Sequence, residues 1–164
     1  MQFETERLLL IPLTASQLNL WLNDLPSLEK ELNCSYQAEP MVGFFREIVA
    51  GQHKIVLQNK DDYIWHSFWF IIRKSDRVVV GSIDFKSTPN DAGEVEIGYG
   101  LGKEFEHQGY MTETVKAMCT WAKKQAHVTH IIAETEIDNL PSQRILTRCG
   151  FVSTKRDETI WWKL

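Results

Sequence analysis

The stretch Val95-Glu96-Ile97-Gly98-Tyr99-Gly100-Leu101-Gly102-Lys103-Glu104-Phe105-Glu106-His107-Gln108-Gly109-Tyr110-Met111-Thr112-Glu113 holds three unlike pieces in a row. Val95, Ile97, Tyr99 and Leu101 alternate with Glu96, Gly98 and Gly100, the period of two expected of a strand with one buried face. Glycine weakens a strand interior, so Gly98 and Gly100 mark a bulge or a place where a ligand or another backbone comes close. One side of this strand is being opened. Lys103 to Gly109 reads as a polar turn, and beyond it Met111, Val115, Met118 and Ala122 fall on one face of a helix. Free backbone N–H groups at the start of such a helix, at the positive end of its dipole, seat an anion such as a pyrophosphate. Many strand-to-helix turns carry a glycine, so an ordinary turn and a phosphate site both fit Gly109.

Length and composition set outer bounds. The 164 residues are most simply one domain, 1–164, with enough chain to bury a sizeable core. Hydrophobic residues at 43% and charged residues at 24% are ordinary for a globular protein. The net charge of −4 is spread without runs of one sign, which argues against a nucleic-acid footprint and weakly favours a cationic substrate. Cys34, Cys119 and Cys149 are scattered and odd in number, as free thiols in a reducing compartment would be. No set of His, Cys, Asp and Glu has the spacing of a metal site. The acidic Met1 to Arg7 segment lacks the apolar core of a signal peptide, and no apolar run approaches the ~18 residues of a membrane span. The expectation is a soluble cytoplasmic protein.

Around the central stretch, the chain alternates between strand and helix patterns. Phe3 to Leu13 reads as a strand stopped by Pro12. Thr14 and Gln17 form a capping box for a helix through Leu18, Trp21 and Leu22, broken at Asp24-Leu25-Pro26. Ser27 to Gln52 is less regular, with a gap around Asn33 to Pro40 before a helix containing Phe44, Phe45, Ile48 and Val49. Ile64 to Arg73 and Arg77 to Lys86 make a hairpin, and Pro89 to Gly93 turns the chain into the Glu94 to Leu101 strand. A helix over 111–126, a strand over His130 to Ile137 and a short helix over Asn139 to Arg148 follow, with Gly150 as the C′ glycine. Phe151 to Thr154 and Thr159 to Lys163 are the last strands. This order predicts an α/β fold, a mixed sheet with helices on both faces.

Glu96-Ile97-Gly98-Tyr99, then Gln108-Gly109-Tyr110-Met111-Thr112-Glu113, Asp138-Asn139-Leu140-Pro141-Ser142 and Cys149-Gly150-Phe151 occur in order at matching spacing. Together they resemble the GCN5-related N-acetyltransferase (GNAT) family over nearly the whole chain, and within it the Rim-like branch that acetylates ribosomal-protein N-termini. The resemblance implies a mostly antiparallel sheet of about seven strands, splayed between the fourth and fifth so that acetyl-CoA lies in the gap. It also implies that the two helices after the first strand line the acceptor side. Cofactor contacts would come from Tyr99, Gly100 and Leu101 on the strand, from Glu106, His107, Gln108, Gly109, Tyr110, Met111 and Thr112 in the turn, and from Asn139 and Ser142. The turn departs from the family's Gln/Arg-x-x-Gly-x-Gly/Ala at two places, Glu106 and Met111. Glu106 would bring negative charge toward a pyrophosphate, although backbone N–H groups do most of the cradling.

Moving an acetyl group from a thioester to an amine needs a base, an oxyanion site and stabilisation of the departing thiolate. By this resemblance Glu96 is the base, with Glu94, two residues back on the same face, as fallback. A solvated structural acid is the bland reading of Glu96. His107 and His130 are further candidates. Asn139 caps the helix that follows it, Pro141 sits in its first turn and Ser142 is its N3 residue. By resemblance Ser142 also serves the leaving sulfur and Asn139 contacts the pantetheine arm. Backbone N–H groups around Tyr99 to Leu101 would polarise the carbonyl, and no covalent acetyl-enzyme is expected.

The expected activity is direct acetyl transfer in a ternary complex. The acceptor is either a protein N-terminus or a small amine such as a polyamine, amino acid or aminoglycoside. A non-catalytic acyl-CoA-binding module is the alternative from another class. The six tryptophans read mostly as core, some of them free to wall an acceptor pocket. Monomer and homodimer both remain open, since a sheet edge near the last strands offers a surface for pairing.

Overall fold

The computed structural model describes residues 1–164. In chain order it contains β1 (Phe3–Glu4), β2 (Leu8–Pro12), α1 (Ala15–Asn23), α2 (Leu25–Leu32), β3 (Ser35–Tyr36), α3 (Gly43–Gln58), β4 (Phe68–Arg73), β5 (Val78–Phe85), β6 (Glu94–Leu101), α4 (Tyr110–Lys123), β7 (His130–Glu136), α5 (Leu140–Arg148), β8 (Val152–Arg156) and β9 (Thr159–Lys163). Single 3-10 segments lie at Lys60–Trp65 and Lys103–Phe105. The strands form one sheet in the order β1-β2-β4-β5-β6-β7-β9-β8, with β3 beside β5. The pairing is antiparallel except for β3 with β5 and β6 with β7. Nine strands replace the seven expected from the sequence, because β1 and β3 are two-residue strands too short to leave a periodic signal.

Local chemistry explains most boundaries. Thr14 accepts the Gln17 backbone N–H while the Gln17 side chain accepts the Thr14 N–H, closing the capping box of α1. Asp24 both ends α1 and caps α2, so the expected break is a sharp corner between two helices. The Ile64 to Arg73 strand begins later than its composition suggests. His66 and Ser67 N–H groups both donate to the Tyr63 carbonyl, folding Lys60–Trp65 into a 3-10 turn, and the strand starts at Phe68. At the end of α5 the Gly150 N–H donates to Thr147 and the Phe151 N–H to Leu146, with Gly150 at φ 92°, a Schellman closure.

Two cores lie on opposite faces of the sheet. One, under α4 and α5, joins Leu8, Trp69, Ile83, Phe85, Val95 and Ile97 to Met111, Val115, Met118 and Leu146. The other, under α1 to α3, is built on Trp21, Phe68, Phe70, Ile72 and Val79. Trp65, Trp69 and Trp121 pack with Phe3 and Phe85 in the first core, and the buried Trp162 donates its indole N–H to Thr135 at 3.0 Å.

A bulge in β5 decides which residues reach which face. Ile71 pairs with Gly81 but Ile72 with Val79, so Val80 is an extra residue and the alternation changes phase there. Val78 and Val80 face the α4 side before it, and Ile83 and Phe85 after it. Ser82 and Asp84 are therefore turned to the α1–α3 side. Gly81 permits this, because a Cβ there would stand 2.3 Å from the Gly100 carbonyl oxygen. No helix is long and apolar enough to cross a membrane.

Candidate active site

The expected splay lies between β6 and β7. The two pair as parallel strands only at Glu94–His130, Val95–Ile131 and Glu96–Ile132, and then separate, while β6 stays paired with β5 as far as Leu101. Lys86 N–H donates to Glu96 O and Gly102 N–H donates to Val80 O, so even-numbered peptide groups of β6 face β5. By alternation the N–H groups of Tyr99 and Leu101 face the opening, and that of Gly100 does not.

A cavity of about 260 Å³ fills the opening on the α4 and α5 side. Of the expected cofactor contacts, Tyr99, Gly100, Leu101, Glu106, His107, Gly109, Tyr110, Met111, Thr112, Asn139 and Ser142 line it. Gln108 does not. Its side chain turns back to the Glu104 carbonyl and its own carbonyl accepts from Arg7. Gly109 precedes α4 at φ 81° with no side chain capping the helix, which leaves the first-turn N–H groups free toward the cavity. Met111 is buried in the core beneath. Arg7 and Glu113 meet at 2.8 Å, and Arg7 also donates to Gln108 O at 2.9 Å, so the N-terminal segment clasps this turn.

On the far wall, the Asn139 side chain accepts the Ser142 N–H at 3.2 Å. The Ser142 hydroxyl shares a 2.7 Å hydrogen bond with the Tyr99 hydroxyl. Burial pushes the Tyr99 phenol up to about 12, against the pull of the Ser142 bond. Two cations that the sequence reading passed over, Arg144 and Arg148, also line the cavity from successive turns of α5. Their i,i+4 spacing was the available signal.

The other side of β6 is acidic. Glu96 is half-buried and its carboxyl is raised by burial, with Lys86 opposing and Glu134 adding to the shift. Asp84 is almost wholly buried and stands at about 6, driven up by burial and by Glu96 and held down by Lys86, whose Nζ lies 3.6 Å away. Glu94, the fallback base, is engaged with Lys163 at 2.7 Å and with Asn90, which hold its carboxyl below the usual range. His107 is exposed at the cavity edge, and His130 is exposed beside Thr129 at the start of β7. The Glu39 carboxylate lies 3.9 Å from where a Gly100 Cβ would stand, so the loop between β3 and α3 overhangs this face.

The sequence pattern described as acetyltransferase (GNAT) domain matches residues 7–152. The chain is a member of the GNAT acetyltransferase family. Among similar proteins, the uncharacterised N-acetyltransferase YjdG of Bacillus subtilis is 28% identical over 153 residues, covering 87% of this chain and 90% of the relative. The solved ribosomal-protein-S5-alanine acetyltransferase of Vibrio fischeri superposes with a TM-score of 0.70 at 17% identity, covering 100% of this chain and 96% of that one. RimL, a ribosomal L7/L12 alpha-N-protein acetyltransferase solved with coenzyme A, superposes with a TM-score of 0.70 at 16% identity over 100% and 97% of the two chains. At such identities these structures speak for the fold. GNAT enzymes use acetyl-CoA, so this protein is an N-acetyltransferase with acetyl-CoA as co-substrate.

Proposed function

We propose that this GNAT enzyme acetylates a primary amine at a protein N-terminus by direct attack within a ternary complex. The observation that carries the reading is the parting of β6 from β7 just after Glu96, with a cavity lined by the start of α4, Arg144 and Arg148 on one face of β6 and a carboxylate of raised pKa on the other.

The residues around the cavity fit acetyl-CoA. The free N–H groups after Gly109 suit a pyrophosphate, and Arg144 and Arg148 supply positive charge that offsets Glu106. Acetyl-CoA brings a thioester whose carbonyl the acceptor amine attacks. Glu96 accepts the amine proton, the N–H groups of Tyr99 and Leu101 point to where negative charge develops on the carbonyl oxygen, and the Ser142 hydroxyl donates toward the departing sulfur. With Tyr99 donating to Ser142, the Ser142 hydrogen is left to point into the cavity. Direct transfer is supported by the thiols. Burial pushes Cys34 up to about 11 and Cys119 up to about 12, and Cys149 is raised by burial as well, so all three are poor nucleophiles near neutral pH.

A protein acceptor is favoured by the openness of the acidic face. Glu39, Lys86 and Glu134 are exposed around it, and Val42 at the end of the overhanging loop and Phe44 in the first turn of α3 follow Glu39 in the chain at 66% and 75% exposure. Such a rim accepts a chain end with an apolar neighbour. The test is acetyl-CoA consumption with N-terminal peptides of varied second residue beside polyamines, amino acids and aminoglycosides. Peptides acetylated at the α-amine are expected; turnover confined to small amines would overturn the acceptor, and acetyl-CoA binding with no turnover on any of them would overturn the enzymatic reading of the site. Arg144→Ala and Arg148→Ala should each raise the KM for acetyl-CoA roughly 3- to 10-fold with kcat little changed, an effect that fades as salt rises. Initial-rate kinetics at two ionic strengths check this.

A further inference from the structure

Lys86 has no part in the chemistry described above, yet it lies among the groups that perform it. Its backbone N–H donates to Glu96 O, so the two residues are opposite one another and their side chains leave the same face of the sheet. From there the side chain runs along β6 toward the strand's open end. Nζ lies 2.7 Å, and Cε 2.9 Å, from where a Cβ on Gly98 would stand. The space over Gly98 is therefore filled by a lysine tip. Gly100, at the edge of the cavity, is two residues further on, about 7 Å along the strand and within the swing of a lysine side chain. The ammonium is held only loosely, with the Asp84 carboxylate at 3.6 Å and the Lys86 side chain half exposed.

A primary amine of the protein's own thus stands on the same face of β6 as Glu96, the acceptor side, with its tip directed along the strand toward Gly100, the residue that borders the cavity. We infer that Lys86 is an acceptor in cis, and that the enzyme acetylates it from acetyl-CoA when no external amine holds the groove. This rests on the reading of Glu96 as base and of this face as the acceptor side. In the step, the Nζ ammonium gives one proton to Glu96, the neutral amine so formed bonds to the acetyl carbon, and its second proton is the one that goes to the departing sulfur, leaving an amide. The carbon–sulfur bond breaks with its electron pair on sulfur, and the thiolate is protonated to release CoA. The acetylated side chain carries no charge and is larger, so it obstructs the groove and removes the cation that opposes proton uptake by Asp84 and Glu96. Modification of Lys86 is a brake that engages when acetyl-CoA is plentiful and acceptor is scarce.

The experiment incubates the purified full-length protein with trideuteroacetyl-CoA and follows intact mass and proteolytic peptides, beside Lys86→Arg and Glu96→Gln. One labelled acetyl group at Lys86 is expected, formed at a first-order rate independent of protein concentration and at least tenfold slower in Glu96→Gln. Peptide turnover by the wild type should fall as the label accumulates, and Lys86→Arg should show no such fall. Absence of label at Lys86 in a protein that acetylates peptides overturns this inference alone. Label spread evenly over exposed lysines such as Lys155, or unaffected by Glu96→Gln, is chemical acetylation and also overturns it. Absence of both label and turnover overturns it together with the catalytic reading of the strand.

Discussion

Replacing Glu96 with glutamine should lower kcat by about 10²- to 10³-fold while leaving acetyl-CoA binding unchanged, the loss typical of a removed general base. Glutamine keeps the shape of the side chain and its contacts in the half-buried site, so a packing effect does not account for such a loss. The pH profile sharpens the test. Glu96 must be ionised to take a proton, so activity is lost as pH falls through its pKa. Burial and Glu134 place that pKa above an ordinary glutamate's despite Lys86. The acidic limb of kcat/KM should accordingly lie on the high side for a carboxylate and vanish in Glu96→Gln. Glu94→Gln serves as comparison, since that carboxylate is tied to Lys163 and is expected to change the rate little. Retention of wild-type rate and limb by Glu96→Gln would remove it from the mechanism.

Asp84→Asn should stabilise the protein by about 1–3 kcal/mol at pH 8 and by much less at pH 4.5. The sign follows from proton uptake. Asp84 stands at about 6 in the folded protein against an ordinary 3.8, so between those values the folded chain holds a proton that the unfolded chain does not. Stability is therefore present at low pH and lost as pH rises through that window, by up to about 3 kcal/mol for this buried carboxyl. Asparagine removes the charge and most of that loss, less the cost of an amide without partners and of the lost attraction to Lys86. Urea denaturation at the two pH values reads it directly; an equal difference at both would mean that the charge of Asp84 is not what destabilises the fold. The same variant is expected to be a slower enzyme as well, because it removes a charge that interacts with Glu96.

The reading of β6, the Gly109 turn and the Asn139 cap from sequence succeeded because each rests on local spacing: alternation, a helical stripe, a cap residue followed by proline. The 3-10 turn at Lys60–Trp65 was hidden by strand-forming composition, and β1 and β3 by their length. Asp84 was missed for a more instructive reason. Counted straight through Val78 to Phe85, alternation puts Asp84 on the face of Val78 and Val80, inside the α4 core. The extra residue at Val80 reverses the phase, and nothing local in the sequence announces a bulge except Gly81, whose requirement comes from the Gly100 carbonyl on another strand. The Tyr99–Ser142 bond and the arginines of α5 at the cavity likewise exist only once distant elements meet.

The three residue pairs that join β6 to β7 carry a mechanical consequence. Glu96 stands on one panel of the sheet, and the helix presenting Ser142 is attached to the other, so the two residues are registered to each other through a short seam and the Tyr99–Ser142 hydrogen bond that spans the opening. A small change of angle at the seam is magnified with distance along the diverging strands, as with two boards sharing one hinge. Packing around Val95 and Ile131, which bear no reactive groups and are buried within that seam, therefore contributes to how closely Glu96 and Ser142 are held in register.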